Sequence, residues 1–175
     1  MPSEEEVREV VRRVVADMSP EDHQTGAGLS GDEIAIGADH GGYALKQKLA
    51  GYLREKGYRV NDCGTDSGDA VDYPDFARSV AQAVADGGCR WGIVIDGAGI
   101  GSCMAANKVR GIRAALCYDI SSARNSREHN HANVMTLGAG LIGESLARQI
   151  VDAWLGTEWG AGRHARRVEK IEQGA

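Results

Sequence analysis

From Glu33 onward, short runs rich in β-branched residues alternate with segments of helical periodicity. Such alternation is typical of a parallel sheet whose strands are connected by helices that cover both faces. We therefore predict the α/β class, as a three-layer α/β/α sandwich around a five-stranded parallel, Rossmann-like sheet. The predicted strands are 33–37, 59–62, 91–96, 113–117 and 134–137, and the predicted helices are 43–56, 73–86, 101–108, 120–128 and 142–155, with a last helix after Gly162.

The beginning of the chain is organised differently from the rest. Residues 3–18 place their apolar side chains on one stripe at helical spacing, with charged side chains on the opposite face. Residues 19–31 contain Pro, Gly and Ser without periodicity, which indicates a flexible linker. The pattern predicts an amphipathic helix and linker at 1–31, followed by a single domain at 32–175. The stripe consists of Val7, Val10, Val11, Val14, Val15 and Met18.

Charge and composition exclude several classes of partner. The formal net charge is -5, so the chain lacks the basic surplus that neutralises a nucleic-acid backbone. No run approaches the ~20 apolar residues that a membrane-spanning helix needs. We expect a cytoplasmic protein that binds neither nucleic acid nor membrane. The four cysteines include no CxxC pair, so the sequence predicts no zinc site.

Two polar residues, Asp39 and His40, directly follow the first predicted strand. Ligands of parallel α/β sheets bind at the carboxyl ends of the strands, so both side chains are candidates for binding or catalysis. An Asp–His pair alone does not establish a site. A helix cap at Asp39 and a surface role for His40 are the alternatives.

A glycine-rich turn follows the third predicted strand, directly after Asp96. Gly97, Ala98, Gly99 and Gly101 allow successive amides to point inward at a helix N-terminus, where an anion such as an enediolate can be held. A simple strand-to-helix connection and a dinucleotide-binding loop are the alternatives. The dinucleotide loop is disfavoured because the spacing is G-x-G-x-G and not G-x-G-x-x-G.

A second group of polar residues lies later in the chain. His129 and Asn130 precede the fifth predicted strand, and Arg163 and Arg167 are spaced to share one face of the last helix. Two guanidinium groups at this spacing can clamp a phosphate. The alternative is a solvated helix with no ligand.

Together these segments resemble the ribose-5-phosphate isomerase B family, which also includes the galactose-6-phosphate isomerase subunits. The likeness covers about residues 33–172, in order. It implies an aldose–ketose isomerase for a phosphorylated sugar, without metal or organic cofactor. It also implies a homodimer or homotetramer whose sites are shared between subunits. The matching segments are GADHGGYALKQKL, DYP, the glycine turn leading into AANK, GIRAALC, SREHNHANV and GRHARRVEKI.

The resemblance further implies roles for individual residues. Asp39 and His129 would open the sugar ring, and Asn130 would hold the substrate beside them. The other implied binding residues are His40, Arg163 and Arg167 around the phosphate, Tyr73 in the pocket wall, and Gly97, Ala98, Gly99 and Gly101 at the enediolate.

Four positions depart from the pattern of the family. In one branch the base that moves the proton is a cysteine at the position of Asp96, and in another it is a glutamate at the position of Ser102. We hypothesise that Asp96 is the base here, with capping of the next helix as the alternative. Gly140 stands where many relatives carry an arginine, and Ala98 replaces a hydroxyl residue of some members. The preferred sugar therefore stays open between ribose 5-phosphate and a six-carbon aldose phosphate.

The region 1–31 resembles the encapsulation peptides that recruit enzymes into bacterial microcompartments. This likeness implies a shell protein as the partner of residues 3–18 and a location inside a microcompartment. Packing of the helix on its own subunit is the alternative. Two further functions stay open, a ligand-binding regulatory protein that has lost its base and a shell-associated scaffold.

Overall fold

The computed structural model of the chain describes residues 32–173. Strands and helices alternate through this range, as predicted. The strands are β1 (Glu33–Ala38), β2 (Arg59–Asp62), β3 (Trp91–Asp96), β4 (Ala114–Leu116) and β5 (Val134–Gly138). The helices are α1 (Tyr43–Glu55), α2 (Tyr73–Ala85), α3 (Ile100–Ala106), α4 (Ile120–Glu128), α5 (Glu144–Leu155) and α6 (Ala165–Glu172), the last preceded by a 3-10 turn at Gly162–His164.

The strands form one parallel sheet in the order β2-β1-β3-β5-β4. The predicted five-stranded sheet is thereby confirmed. The chain leaves β1 toward the edge strand β2 and later returns past β1 to β3. The helices that follow β1 and β3 cover opposite faces, so a crevice opens between the carboxyl ends of these two strands.

Two apolar cores lie on the two faces of the sheet. Helices α1, α4 and α5 pack on one face, where Leu45, Leu49 and Leu53 present one side of α1 to the strands. Helices α2 and α3 pack on the other face, where Val80 and Val84 of α2 are buried. Because β1, β3 and β5 are covered on both faces, they are buried along almost their whole length.

Two helices have boundaries that differ from the prediction, α3 at its last residue and α5 at its first. Helix α3 stops at Ala106, because the side chain of Asn107 pairs with the main chain of β4 through both the amide and the carbonyl oxygen of Ala114. Helix α5 starts at Glu144 and not at Ile142, since the amide of Ile142 belongs to a turn that closes on the carbonyl oxygen of Gly138.

The predicted amphipathic helix and linker at 1–31 lie outside the described residues, so the domain boundary at residue 31 stays a prediction. Among the helices of residues 32–173, none has the length and apolar character needed to cross a bilayer.

Candidate active site

Asp96 ends β3 with its side chain 5% exposed. Its Oδ1 accepts hydrogen bonds from the amides of Ala98, at 2.8 Å, and Gly99. Its Oδ2 accepts from the amide of Ser102, at 3.1 Å, and from the Ser102 hydroxyl. A carboxylate offers about four lone-pair sites, and these four donors occupy them. The geometry is that of a cap on the N-terminus of α3, where the helix dipole also favours a negative charge.

The glycine turn therefore presents fewer free amides than its sequence indicates. The amides of Ala98 and Gly99 donate to Asp96, and one N–H cannot serve a substrate oxygen at the same time. Within residues 32–173, the amides of Gly97 and Gly101 have no acceptor. These two amides are the donors that the turn offers to an anion.

Asp39 lies in the turn after β1 with its side chain 7% exposed. Its Oδ1 accepts a hydrogen bond of 2.9 Å from the amide of Gly42, at the start of α1. Asp39 thus closes the turn that precedes α1, whose N-cap residue is Gly42. A Cβ built on Gly41 would lie 3.4 Å from Oδ1 of Asp39 and 3.5 Å from the nitrogen of Gly97. The loops that follow β1 and β3 therefore meet, as expected for the carboxyl edge of a parallel sheet.

His40 is exposed beside this turn. Its Nδ1 lies 3.2 Å from the main-chain nitrogen of Val71 and accepts a hydrogen bond from it. A neutral ring with Nδ1 as acceptor carries its proton on Nε2, so His40 presents a donor on its other side.

Tyr73 lies at the start of α2 with a ring that covers Gly101. A Cβ at Gly101 would come within 2.5 Å of the Tyr73 ring, so only glycine leaves the space that the ring occupies. Tyr73 remains 40% exposed. Its ring therefore lies against the glycine turn at Gly101.

The loop after β5 closes the same region from the other side. The amide of Ala139 donates to the carbonyl oxygen of Asp96 at 2.8 Å, and the amide of Gly140 donates to that of Gly97 at 3.0 Å. A Cβ at Gly140 would lie 2.9 Å from this Gly97 oxygen. Any larger residue at Gly140 thus requires the two turns to separate.

Cys103 lies in α3, one residue beyond Ser102. Burial raises the pKa of its thiol above the ordinary value. Its Sγ lies 3.3 Å from the carbonyl oxygen of Ala114 and donates to it. Cys103 is therefore held as a protonated thiol and not as a thiolate base.

His129 belongs to a second cluster at the end of α4. Its ring stacks on that of His164, with centroids 4.4 Å apart and planes inclined by 6°. Nδ1 of His129 lies 2.9 Å from the Asn125 side-chain amide. Burial lowers the pKa of His164, and the nearby charges of His129 and the arginines lower it further. The stack therefore favours a neutral ring at His164.

The two arginines flank this stack. Arg163 belongs to the 3-10 turn, where its Nε lies 3.3 Å from Nε2 of His164, and Arg167 lies in the first turn of α6. Both side chains are exposed, so both guanidinium groups are accessible to a phosphate.

Asn130 is exposed at the rim of a cavity of about 560 Å³. The cavity lies between the end of α3, β4, α4 and α6. None of Asp39, Asp96 and the glycine turn contributes to its lining. The lining residues are Asn107, Arg113, Ala114, Ala115, Ser121, Ser122, Asn125, Ser126, Asn130, Ala132 and Ile171.

The candidate residues thus form two clusters. The first contains Asp39, Tyr73, Asp96 and the glycine turn, and the second contains His129 with Arg163. No hydrogen bond, ion pair or ring contact within residues 32–173 joins the two clusters. The two clusters are therefore not in direct contact within the described part of the chain.

Comparison with known proteins identifies the family of this fold. The profile described as Ribose/Galactose Isomerase matches residues 34–171. The chain belongs to this family. Among its relatives, ribose-5-phosphate isomerase B of Escherichia coli (strain K12) is 48% identical over 139 residues, which are 79% of this chain and 93% of that protein. D-erythrulose-4-phosphate isomerase of Pectobacterium atrosepticum is also 48% identical, over 79% of this chain and 91% of that protein.

Solved structures of the Ribose/Galactose Isomerase family share the fold. A structure of Clostridium thermocellum ribose-5-phosphate isomerase B superposes with a TM-score of 0.80 at 54% identity, covering 81% of this chain and 95% of that one. A structure of the ribose 5-phosphate isomerase of Thermotoga maritima superposes with a TM-score of 0.80 at 46% identity. The match covers 81% of this chain and 98% of that one. The predictions of the family and of an isomerase are confirmed by these matches.

Two features of this region were not anticipated from the sequence. Ser102 was noted only as the position of a missing glutamate, and its hydrogen bond to Asp96 could have been anticipated from an acid that precedes a helix start. His131, which directly follows Asn130, has the left-handed backbone conformation. No sequence signal marks a histidine for this conformation.

Proposed function

We propose that this isomerase interconverts ribose 5-phosphate and ribulose 5-phosphate by proton transfer through an enediolate. The observation that carries the proposal is the 48% identity to Escherichia coli ribose-5-phosphate isomerase B over 93% of that protein. A four-carbon sugar phosphate is the second candidate, because the identity to D-erythrulose-4-phosphate isomerase is also 48%. A six-carbon aldose phosphate is the third sugar to be tested.

The site is completed by a second copy of the chain. Asp39 and Asp96 of one subunit face His129 and Arg163 of its partner. The support is the separation of the two clusters within one subunit, since ring opening and phosphate binding must act on one small molecule. Subunit sharing of this kind is a common consequence of two-fold symmetry.

Asp96 is the base, and Ser102 controls its access to the substrate. A carboxylate needs a free lone pair to accept a proton, and the four donors around Asp96 leave none. Of these donors, the Ser102 hydroxyl can rotate away without any movement of the main chain. Its rotation frees Oδ2 when the sugar is bound.

The proton transfer then balances as follows for the aldose. Oδ2 of Asp96 takes the proton from C2, the electron pair left behind forms the C1–C2 double bond of the enediolate, and the π pair of the C1 carbonyl moves onto O1. The hydroxyl proton of O2 moves to O1. The C2–O2 carbonyl then forms while the electron pair of the C1–C2 double bond takes the proton back from Asp96 at C1. The amides of Gly97 and Gly101 stabilise the negative charge on the enediolate oxygens. His40, Arg163 and Arg167 hold the phosphate, Asn130 holds the sugar, and Tyr73 lines the pocket.

The N-terminal region directs the enzyme to the shell of a microcompartment. The support is the apolar stripe of residues 3–18 followed by a linker. Deletion of residues 1–25 is expected to leave isomerase activity intact and to abolish co-purification with shell proteins. Loss of folding on truncation would instead assign the helix to its own subunit.

Turnover of the purified chain with ribose 5-phosphate, erythrose 4-phosphate and six-carbon aldose phosphates tests the substrate. We expect the highest kcat/KM with ribose 5-phosphate. A higher value with erythrose 4-phosphate would replace the first candidate by the second. Binding of all these sugars without turnover would identify a regulatory protein.

Complementation tests the shared site. Asp39→Asn and His129→Ala are each expected to be inactive as homodimers. When the two variants are refolded together, half of the dimers are mixed and each mixed dimer has one intact site, so about a quarter of the wild-type activity returns. No recovery in the mixture would place the whole site in one subunit.

A further inference from the structure

His131 connects the end of α4 to β5 directly after His129 and Asn130. Among residues 32–173 it is the only residue other than glycine with a positive φ, at 51°. A residue with a Cβ adopts this left-handed conformation only when its surroundings hold it there. The contacts of His131 therefore decide where the two preceding side chains stand.

The main chain of His131 is held on both sides. Its amide donates to the carbonyl oxygen of Arg127 at 3.1 Å. Its own carbonyl oxygen accepts a hydrogen bond of 2.8 Å from Nε of Arg113. The guanidinium group of Arg113 is itself fixed by an ion pair with Glu172 of α6. The turn is thus attached to α4, to the start of β4 and to α6.

The ring of His131 is held by Trp159. The two rings are stacked with centroids 4.3 Å apart and planes inclined by 4°. The indole Nε1 is buried and has no hydrogen-bond acceptor in the described part of the chain, so the contact between the flat faces is what fixes the pair. Trp159 lies four residues before Arg163.

A second stack runs beside the first. His129 packs on His164 with nearly parallel rings, and the amide of Gly160 donates to the carbonyl oxygen of Glu128 at 2.9 Å. Three contacts therefore join residues 128–131 to residues 159–164. The first segment carries the group proposed for ring opening, and the second leads to the arginines proposed for the phosphate.

We propose that Trp159 is a positioning residue for the isomerisation. Its indole face holds His131 in the left-handed turn and thereby fixes His129 and Asn130 at a set distance from Arg163. This inference rests on the proposed function, because it assigns Trp159 to the same site. Trp159 acts through His131 and does not itself contact the sugar.

Replacement of Trp159 separates positioning from binding. In Trp159→Ala the arginines remain on α6 and the preceding turn, but the His129 loop loses its support. We expect kcat to fall about 10- to 100-fold, since a displacement of about 1 Å is enough for such a loss. The inhibition constant of inorganic phosphate should change less than about threefold, because the arginines proposed for the phosphate keep their places on α6 and the preceding turn.

Two matched variants sharpen the test. Trp159→Phe keeps a smaller flat ring to stack on His131 and removes an N–H that has no acceptor in the described part of the chain, so its kcat should stay close to that of the wild type. His131→Gly in the Trp159→Ala background should restore most of kcat, because glycine adopts a φ of 51° without support. If Trp159→Ala does not fold, Trp159→Leu takes its place, because leucine leaves a smaller cavity than alanine and still offers no flat face.

A wild-type kcat in Trp159→Ala, equal losses in the Phe and Ala variants, or no recovery in the double variant would each overturn the proposal. The NMR signal of the His129 Cε1–H group gives a readout independent of turnover. It should shift or broaden in Trp159→Ala and return in the double variant. Wild-type protein that does not turn over any sugar phosphate refutes the proposed function, whereas an unchanged His129 signal in Trp159→Ala refutes the positioning role.

Discussion

Ser102 donates both its main-chain amide and its hydroxyl to Oδ2 of Asp96. The serine is fully buried, so solvent does not compete for this contact. Asp96 is therefore the proposed base and also has the hydrogen bonds of a helix cap. Substitution of Asp96 and of Ser102 in turn distinguishes the two roles.

Asp96→Asn is expected to lower kcat by about 10²- to 10⁴-fold, the usual contribution of a general base. It also leaves four donors facing one remaining acceptor oxygen, so some stability is lost as well. Ser102→Ala removes one donor and frees a lone pair of Asp96, at a cost of about 1–2 kcal/mol in stability. We expect it to retain or raise kcat. Near-full activity in Asp96→Asn, or equal losses of kcat in both variants, would assign Asp96 to capping alone.

Gly101→Ala is expected to impair substrate binding through Tyr73. The added methyl group would come within 2.5 Å of the Tyr73 ring. The exposed ring is free to swing away, so the fold survives while the pocket wall is lost, and KM should rise about tenfold. The matched control is Gly51→Ala in α1, where a Cβ meets nothing within 4 Å. The control should gain about 0.5–1 kcal/mol in the free energy of unfolding without any change in KM.

The ion pair between Lys46 and Asp62 should respond unequally to loss of either partner. The Lys46 side chain is 1% exposed and that of Asp62 is 31% exposed. Nζ of Lys46 donates to both carboxylate oxygens, at 2.7 and 2.8 Å, and to the carbonyl oxygen of Thr65 at 2.7 Å. Asp62→Asn leaves a buried cation without its counter-charge and should cost about 3 kcal/mol, whereas Lys46→Met leaves a carboxylate that water can reach and should cost less.

Urea unfolding of both variants measures this difference. Asp75→Asn is the control, because Asp75 and Arg78 form a pair in which both side chains are well exposed. Its effect should stay below about 0.5 kcal/mol. A larger loss in Lys46→Met than in Asp62→Asn would contradict the burial argument.

Acidification should weaken the fold through His131. Burial lowers the pKa of His131 below its ordinary value, and the charges of Arg113 and Arg127 lower it further. Below the ordinary value of about 6.5, the unfolded chain binds this proton more readily than the folded one, so the free energy of unfolding falls as the pH falls through the folded-state pKa. The stabilisation is complete above the ordinary pKa.

His131→Asn removes this titration while keeping a residue that tolerates the left-handed conformation. The loss of stability between about pH 7.5 and pH 5 should therefore be smaller in the variant than in the wild type. His164, whose pKa is also lowered, titrates in both proteins and cancels in the comparison. An identical pH dependence of the free energy of unfolding in the two proteins would show that protonation of His131 does not weaken the fold.

Cys117 is expected to resist alkylation in the folded protein. It is fully buried, and burial raises its pKa to about 12. The thiolate is the reactive form of cysteine. At neutral pH the reagent therefore cannot reach Cys117, and Cys117 is not in its thiolate form. Mass spectrometry after iodoacetamide treatment should show Cys117 unmodified in buffer and modified in urea. Cys63, which is partly exposed, should react earlier in buffer.

The strands and helices could be read from the sequence because local periodicity and glycine turns determine them. The predicted bounds of β3 equal the observed ones, because a short apolar run between a turn and an acid is typical of a buried strand. Helix ends were less predictable. The end of α3 depends on the side chain of Asn107 reaching β4, which is a contact between segments and not a local preference.

The amino-acid sequence by itself determined the α/β sheet, the carboxyl edge at which Asp39, Asp96 and the glycine turn lie, and the family. Tertiary structure alone decided how those residues are used. It directs the amides of Ala98 and Gly99 onto Asp96, and it places His131 in a left-handed turn against Trp159. The physical reason is that patterns along a chain report which face of an element is buried. Hydrogen-bond partners and ring stacks depend on the distances between elements, and only folding sets those distances.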